Sequence, residues 1–148
     1  MKKIFTVVLW IIFAMLLIFA TCKGGAEGKK SSSKGKMDTR TGHYIKGDNV
    51  VFVFDTKIYS GQLLDELESV TVAGEFNGWD TGAADWQATD PDGDGLWTLE
   101  KPKSKVPNGV KFKFVANQVD WMQPPTEIDK KYLADDGFGG FNLVVNYE

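Results

Sequence analysis

The sequence predicts one all-β domain, a β-sandwich, that follows a membrane-attachment segment and a linker. From Val50 onward, short runs of β-branched and aromatic residues alternate with turn-forming pairs such as Asn77-Gly78, which is the pattern of an antiparallel sandwich. A chain of 148 residues has room for one core, because single domains occupy roughly 100 to 200 residues. We therefore place the globular domain at residues 43–148.

Six runs have the composition of strands, and one segment has helical spacing. The predicted strands cover residues 50–54, 69–74, 86–88, 96–100, 110–116 and 141–147. Leu63, Leu64 and Leu67 are spaced as on one face of a helix. We therefore predict a helical turn at residues 62–68, inserted between the first two strands.

The strand at residues 110–116 is the most informative of the six, because neighbouring residues of a strand face opposite sides of the sheet. Phe112 and Phe114 are two residues apart and are predicted to point into the core. Lys111 and Lys113 are then predicted to point to the other face, where a cation can meet solvent or a ligand.

The first 21 residues predict a signal peptide or a membrane anchor. Two lysines precede an apolar run over residues 4–21, which is the order of charge and hydrophobicity in an export signal. The run ends at Ala20-Thr21-Cys22, which resembles the lipobox of bacterial lipoproteins, where the cysteine thiol receives a diacylglycerol after cleavage. We therefore predict lipidation of Cys22 and attachment to a membrane of the cell envelope, on its periplasmic or surface side.

An uncleaved anchor is the alternative, and it reverses the predicted side of the membrane. The eighteen residues of the run would span about 27 Å as a helix, close to the roughly 30 Å hydrocarbon core of a bilayer. Six basic residues follow the run and two lysines precede it, so the positive-inside rule favours a cytoplasmic domain. In both cases residues 22–42, rich in Gly, Ser and Lys, predict a flexible tether.

Charge and residue types exclude several classes of function. Residues 43–148 carry nine lysines against eighteen acidic side chains, a net charge of −9, which excludes nucleic acid as a partner because such binding requires neutralised phosphates. The only histidine, His43, follows the tether and the only cysteine is Cys22, so no catalytic triad can be assembled. No carboxylate pair is singled out for glycoside hydrolysis. We predict a protein that is not an enzyme and uses no cofactor.

Residues 90–95 match the opening of a calcium-binding loop, Asp-Pro-Asp-Gly-Asp-Gly. Position twelve of that loop requires a bidentate glutamate, and this chain has Lys101 there. No helical pattern flanks the segment either. We interpret it as a hairpin turn and predict no metal site, with calcium binding as the less favoured alternative.

Four motifs that follow one another between residues 70 and 145 resemble a known family. They read VTVAGEFNGW at 70–79, DGLW at 94–97, PNGVKFKFV at 107–115 and DGFGGFNLVV at 136–145. In this order they resemble the glycogen-binding domain of the AMP-activated protein kinase β subunit, carbohydrate-binding module family 48. The resemblance implies an immunoglobulin-like (early-set) β-sandwich.

The resemblance also implies a set of ligand contacts. In the family, two tryptophans, a lysine and an asparagine bind the glucan, and the matching residues here are Trp79, Lys113, Trp121 and Asn142. An indole ring can stack on the apolar C–H face of a pyranose, while lysine and asparagine can bond its hydroxyls. Trp79 and Trp121 lie in turn or loop contexts, so we expect exposed rings.

Two functions therefore compete at this point. The first is non-catalytic binding of an α-glucan polysaccharide or maltooligosaccharide at a membrane, without an identified partner enzyme. The alternative is a protein-interaction or structural module that has kept the sandwich and lost the sugar, since a fold does not fix a function. The loop before Trp121 is one residue longer than in the family, which keeps the alternative open. Of the other tryptophans, we expect Trp97 in the core and leave Trp86 between core and surface.

Overall fold

A computed structural model describes residues 37–148. The described residues form an all-β fold with little helix, as the sequence predicts. Their strands are β1 (His43–Lys46), β2 (Asn49–Asp55), β3 (Val70–Gly74), β4 (Gln87–Ala88), β5 (Leu96–Pro102), β6 (Lys111–Ala116), β7 (Asp120–Trp121), β8 (Leu133–Asp135) and β9 (Phe141–Val144). An α-helix, α1, covers Thr56–Tyr59, and 3-10 turns cover Thr39–Thr41, Glu75–Asn77, Ala84–Trp86 and Lys130–Tyr132.

The strands pair in two antiparallel sheets. The smaller sheet has the order β1-β2-β5, and the larger has the order β4-β3-β6-β9-β8, with β7 paired to β6. The two sheets are joined where Thr89 and Thr98 exchange backbone hydrogen bonds of 3.0 and 2.8 Å. Phe112 and Phe114 of β6 pack against Phe52 and Phe54 of the smaller sheet, so the opposite face of β6 remains available for a site.

Aromatic rings fill the core and join strands of the two sheets. Phe52 meets Phe112 edge-on at a centroid distance of 4.9 Å, and Phe54 meets Phe114 at 5.4 Å. Such pairs add about 0.5 to 1.5 kcal/mol to the burial of the rings themselves. All four rings are at most 1% exposed. The predicted inward direction of Phe112 and Phe114 is therefore confirmed.

The predicted helical turn at residues 62–68 is wrong. The structure has no helix over residues 61–69. Helix α1 lies earlier, where the Asp55 carboxylate caps it by accepting a 3.0 Å hydrogen bond from the Lys57 N–H. Leu63 and Leu67 are partly buried and pack against the core, whereas Leu64 is 81% exposed, so only two of the three leucines face the core and they do so from a segment without a helix.

The structure leaves residues 1–36 undescribed, and the signal or anchor segment, Cys22 and most of the predicted tether lie there. In residues 37–148, no helix is long and apolar enough to cross a membrane. The last residues of the predicted tether contact the domain. Thr39 Oγ1 donates a 2.9 Å hydrogen bond to Asp55, and Arg40 Nη1 donates a 3.2 Å hydrogen bond to the Glu127 carbonyl. Contacts of the domain thus begin before the predicted boundary at His43.

Candidate functional site

A groove of about 610 Å³ lies on the face of the larger sheet that points away from the core. The four residues that the sequence singles out as ligand contacts all line this tryptophan groove. They are Trp79, Lys113, Trp121 and Asn142. The other lining residues are Glu75, Lys111, Gln123, Asp135, Asp136 and Phe138. The turn after β3, the strands β6 and β7, and the chain around β9 therefore contribute to one surface.

The floor of the groove comes from the outward side chains of β6 and β9. Lys113 lies between the core residues Phe112 and Phe114, and Asn142 precedes the core residue Leu143, so the alternation of a strand turns both polar side chains outward. Lys113 is only 5% exposed and Asn142 8%. Both therefore lie deep in the groove, below the aromatic rings that flank it.

Hydrogen bonds of the Asn77 side chain hold the turn that carries Trp79. The Asn77 Oδ1 accepts a 2.9 Å hydrogen bond from the Gly74 N–H, and the Asn77 Nδ2 donates a 3.0 Å hydrogen bond to the Val72 carbonyl. The Trp79 N–H donates to the Gly74 carbonyl at 2.9 Å. Trp79 has a φ of 62°, in the left-handed region that a bulky residue adopts at a cost of about 1 to 3 kcal/mol. The turn thus holds the backbone of Trp79 in a strained conformation and keeps its indole outside the core, where Trp79 is half-buried and not fully exposed as expected.

The residues before Trp79 explain why this turn is rigid. Gly74 approaches β6 so closely that a Cβ there would lie 2.6 Å from the Lys111 carbonyl oxygen, which excludes any larger residue. Phe76 turns inward and stacks on Trp86 at a centroid distance of 4.1 Å and an interplanar angle of 13°. The turn is therefore fixed at one end by the sheet and at its middle by the core.

Trp79 and Trp121 stand side by side in the groove. Their ring centroids are 6.2 Å apart and their planes are inclined by 47°. Trp121 is 42% exposed and is held by the pairing of β7 with β6, where it lies opposite Val115. The two indoles form neighbouring inclined faces, onto which apolar ring faces of a ligand can stack.

Phe138 is a groove residue that the sequence analysis did not single out. It is 96% exposed and lies between Gly137 and Gly139, which have φ values of 80° and 89°. Rings of this size are usually buried, so a phenylalanine on an exposed loop beside two tryptophans adds a third aromatic face. A phenylalanine between two glycines just before the last strand was the sequence signal for it.

Lys113 is engaged in a buried ion pair. Its Nζ is 2.6 Å from Asp136 Oδ2, with the two side chains 6% and 8% exposed, and 3.4 Å from Gln123 Oε1. The hydrogen bond from Lys113, and those from the backbone N–H groups of Phe138 and Gly140, lower the pKa of Asp136 to about 2. Since an ammonium group has three donors, one N–H of Lys113 remains for a ligand.

The charges of the groove almost cancel. Lys111 Nζ is 3.9 Å from Glu75 Oε1, and Lys113 balances Asp136. Asp135 is the remaining acidic side chain of the lining, whose formal net charge is therefore −1. A groove of this charge favours a neutral ligand over an anionic one.

The remaining tryptophans and the acidic turn lie outside the groove. Trp86 is 9% exposed and lies in the core, whereas Trp97, which we expected in the core, is only partly buried and packs against it. The carboxylates of Asp90, Asp92 and Asp94 lie within 4.8 Å of one another. Those of Asp90 and Asp94 accept backbone N–H groups of the same segment, which is the behaviour of turn residues.

Comparison of the chain with protein-family models and with curated proteins finds no match in either. The likeness to the glycogen-binding domain therefore stays a prediction, based on the order of the motifs.

Proposed function

We propose that this protein is a non-catalytic carbohydrate-binding module with an immunoglobulin-like sandwich, which binds α-glucan in the tryptophan groove. The supporting observation is the convergence of Trp79, Lys113, Trp121 and Asn142 on one groove, although up to 63 positions separate them in the sequence. Glycogen, starch and maltodextrin are the glucans that the family resemblance implies.

The strain at Trp79 supports a binding role for its ring. A residue in the left-handed region is more stable as glycine or asparagine than as tryptophan. The turn nevertheless carries tryptophan at a φ of 62°, and the ring contacts Trp121 instead of filling the core. Strain of this kind concentrates at functional sites.

The polar groups of the groove match a sugar ring. Hydroxyls both donate and accept hydrogen bonds. The Asn142 amide offers both functions, Asp135 offers an acceptor, and Lys113 offers its remaining N–H. Together with the near-neutral lining, this set favours a neutral polyol over a phosphate or a uronic acid.

The groove is open, so we expect moderate affinity for short ligands. A maltooligosaccharide should bind with a dissociation constant in the micromolar to millimolar range, roughly 4 to 8 kcal/mol. Longer or branched glucans offer repeated contacts to a surface that displays many copies of the protein, so they should be retained better.

We also propose that the module is attached to a membrane through a lipidated Cys22, as the lipobox-like segment indicates. Mass spectrometry of detergent-extracted protein should find a mature chain that begins at Cys22 and carries acyl mass. An intact Met1 with an unmodified Cys22 would favour the uncleaved anchor instead.

Native gel electrophoresis of the full chain in mild detergent, with and without glycogen in the gel, tests glucan binding. Glycogen should retard the wild type, and Trp79→Ala and Trp121→Ala should each restore most of the free mobility. Leu64→Ala is the matched control, because Leu64 is an exposed apolar residue outside the groove lining. Unretarded wild type in glycogen, starch and maltodextrin at millimolar sugar would rule out the glucan.

A protein-interaction module is the second candidate, and the exposure of Phe138 favours it. A ring that is 96% exposed beside two tryptophans is also typical of the centre of a protein interface. Under this alternative the wild type would pass through glycogen gels unretarded.

A further inference from the structure

The loop that carries Phe138 is held by carboxylates. Two glycines with positive φ would leave residues 136–140 free to move, yet carboxylates bind three of their backbone N–H groups. Asp135 Oδ1 accepts from the Gly137 N–H, and Asp136 Oδ1 accepts from the N–H groups of Phe138 at 2.8 Å and Gly140 at 2.9 Å. The backbone of Phe138 is therefore fixed, although its ring is exposed.

Asp136 connects this loop to the floor of the groove. Its Oδ1 binds the loop, while its Oδ2 is 2.6 Å from the Lys113 Nζ of β6. Gly140 packs closely against the same carboxylate, since a Cβ at Gly140 would lie 2.7 Å from Asp136 Oδ2. One buried carboxylate thus determines how the loop sits over the central strand.

Gln123 and Gln62 extend the network beyond the ion pair. The Gln123 Oε1 is 3.4 Å from the Lys113 Nζ and accepts a 3.3 Å hydrogen bond from the Phe141 N–H. Gln62 holds the Gln123 backbone, since its Oε1 accepts from the Gln123 N–H at 2.7 Å and its Nε2 donates to the Gln123 carbonyl at 2.9 Å. Gln123 therefore supports Lys113, while the loop N–H groups hold Asp136, so each partner of the ion pair has a further contact.

We infer that Asp136 and Lys113 are positioning residues that hold Phe138 as a fixed third aromatic face of the tryptophan groove, and that Lys113 acts on a glucan chiefly through this loop. The inference rests on the proposed function. Its physical reason is preorganisation: a residue whose backbone is already in place loses less conformational freedom when a ligand binds. Lys113 is suited to this role, because two of its three donors are occupied and its side chain is 6% exposed.

The first arm of the test needs no ligand. Backbone order parameters of the full chain in detergent should be near 0.85 for Phe138 in the wild type, and Asp136→Asn should lower them below about 0.6. Trp79 serves as the internal reference, because its turn has no bond to Asp136. An already mobile Phe138 in the wild type, or an unchanged order parameter in Asp136→Asn, would overturn the inference whatever the protein binds.

The second arm is a double-mutant cycle with maltoheptaose. Phe138→Ala and Asp136→Asn should each weaken binding by roughly two- to tenfold, as expected for loss of one preorganised contact. The double variant should bind no more weakly than Phe138→Ala alone. Independent, multiplying effects would show that Asp136 does not act through Phe138 and would overturn the inference.

Two further outcomes separate the proposals. If Asp136→Asn fails to fold, the paired apolar change Lys113→Met with Asp136→Leu removes the ion pair without leaving a buried charge unpaired. It enters the first arm only, because Lys113 also offers an N–H to the sugar. If the wild type orders Phe138 but binds no maltoheptaose, the proposed function fails, and the ligand role of the two residues fails with it.

Discussion

Two connections bring an aromatic ring to the same groove, and they do so by different means. The turn that carries Trp79 is anchored by neutral amide bonds and by Phe76 in the core, and it leaves its tryptophan strained at a φ of 62°. The loop that carries Phe138 is anchored by an ion pair and carboxylate bonds, and glycines adopt its positive φ values. The difference indicates that the turn belongs to the folding core, while the loop depends on local charge.

The largest difference in stability should be found between truncation of Phe76, which anchors the turn, and truncation of Phe138, whose ring is exposed. Phe76→Ala removes a ring stacked on Trp86 and should cost about 3 kcal/mol, the low end for core phenylalanines, because Phe76 is only partly buried. Phe138→Ala should stay within about 0.5 kcal/mol of the wild type, since it is 96% exposed. Urea unfolding of the full chain measures both, and equal losses would contradict the contrast.

A smaller loss of stability should follow when the side-chain amide of Asn77 is removed from the turn. Asn77→Ala leaves the Gly74 N–H and the Val72 carbonyl without their side-chain partner, which should cost about 1 to 3 kcal/mol. Asn77→Asp is a second variant: it keeps the acceptor for Gly74 but sets a carboxylate oxygen against the Val72 carbonyl, which repels it, so it should also be less stable than the wild type. Wild-type stability in Asn77→Ala would show that the turn is held by Phe76 alone.

Relief of the backbone strain at Trp79 should change the free energy of unfolding by a smaller amount. The test is which of two variants, Trp79→Gly or Trp79→Ala, is the more stable. Trp79→Gly should be more stable than Trp79→Ala by about 1 kcal/mol, because only glycine adopts a φ of 62° without a steric penalty. At an ordinary helical or extended position the order would be reversed. Both variants should lose retention by glycogen. The thermal midpoint of each variant therefore measures the strain, and its mobility in a glycogen gel measures the binding.

Acid should loosen the loop and leave the turn in place. The folded pKa of Asp136 is about 2, below the roughly 3.9 of an unfolded aspartate. Its contribution to stability is therefore complete above about pH 4 and is lost as the pH falls towards 2. The protection of the Phe138 amide from hydrogen exchange should therefore fall between about pH 4 and pH 2. The Trp79 amide should stay protected to lower pH, because the Asn77 side chain that holds its turn is not titratable. Simultaneous loss of both would indicate global unfolding.

The strand pattern and the choice of candidate residues could be read from the sequence. Alternation along β6 assigned Phe112 and Phe114 to the core and the intervening Lys113 to the opposite face, because a period of two is a local property of any strand. The strands β1, β7 and β8 were missed, since they are short and their composition is weak. Their formation depends on pairing with partners that are distant in sequence.

Tertiary structure alone decided how the groove is supported. The partner of Lys113 is Asp136, 23 residues away, and no local pattern pairs two charges over that distance. The leucines of residues 62–68 were spaced for a helix, yet Leu63 and Leu67 pack against the core from a segment without a helix. Gln62 in that segment holds the distant Gln123, a contact that helical spacing does not encode. Local period and residue type thus determined which face each side chain takes, whereas contacts between distant segments determined which of those side chains are fixed, strained or free to meet a ligand.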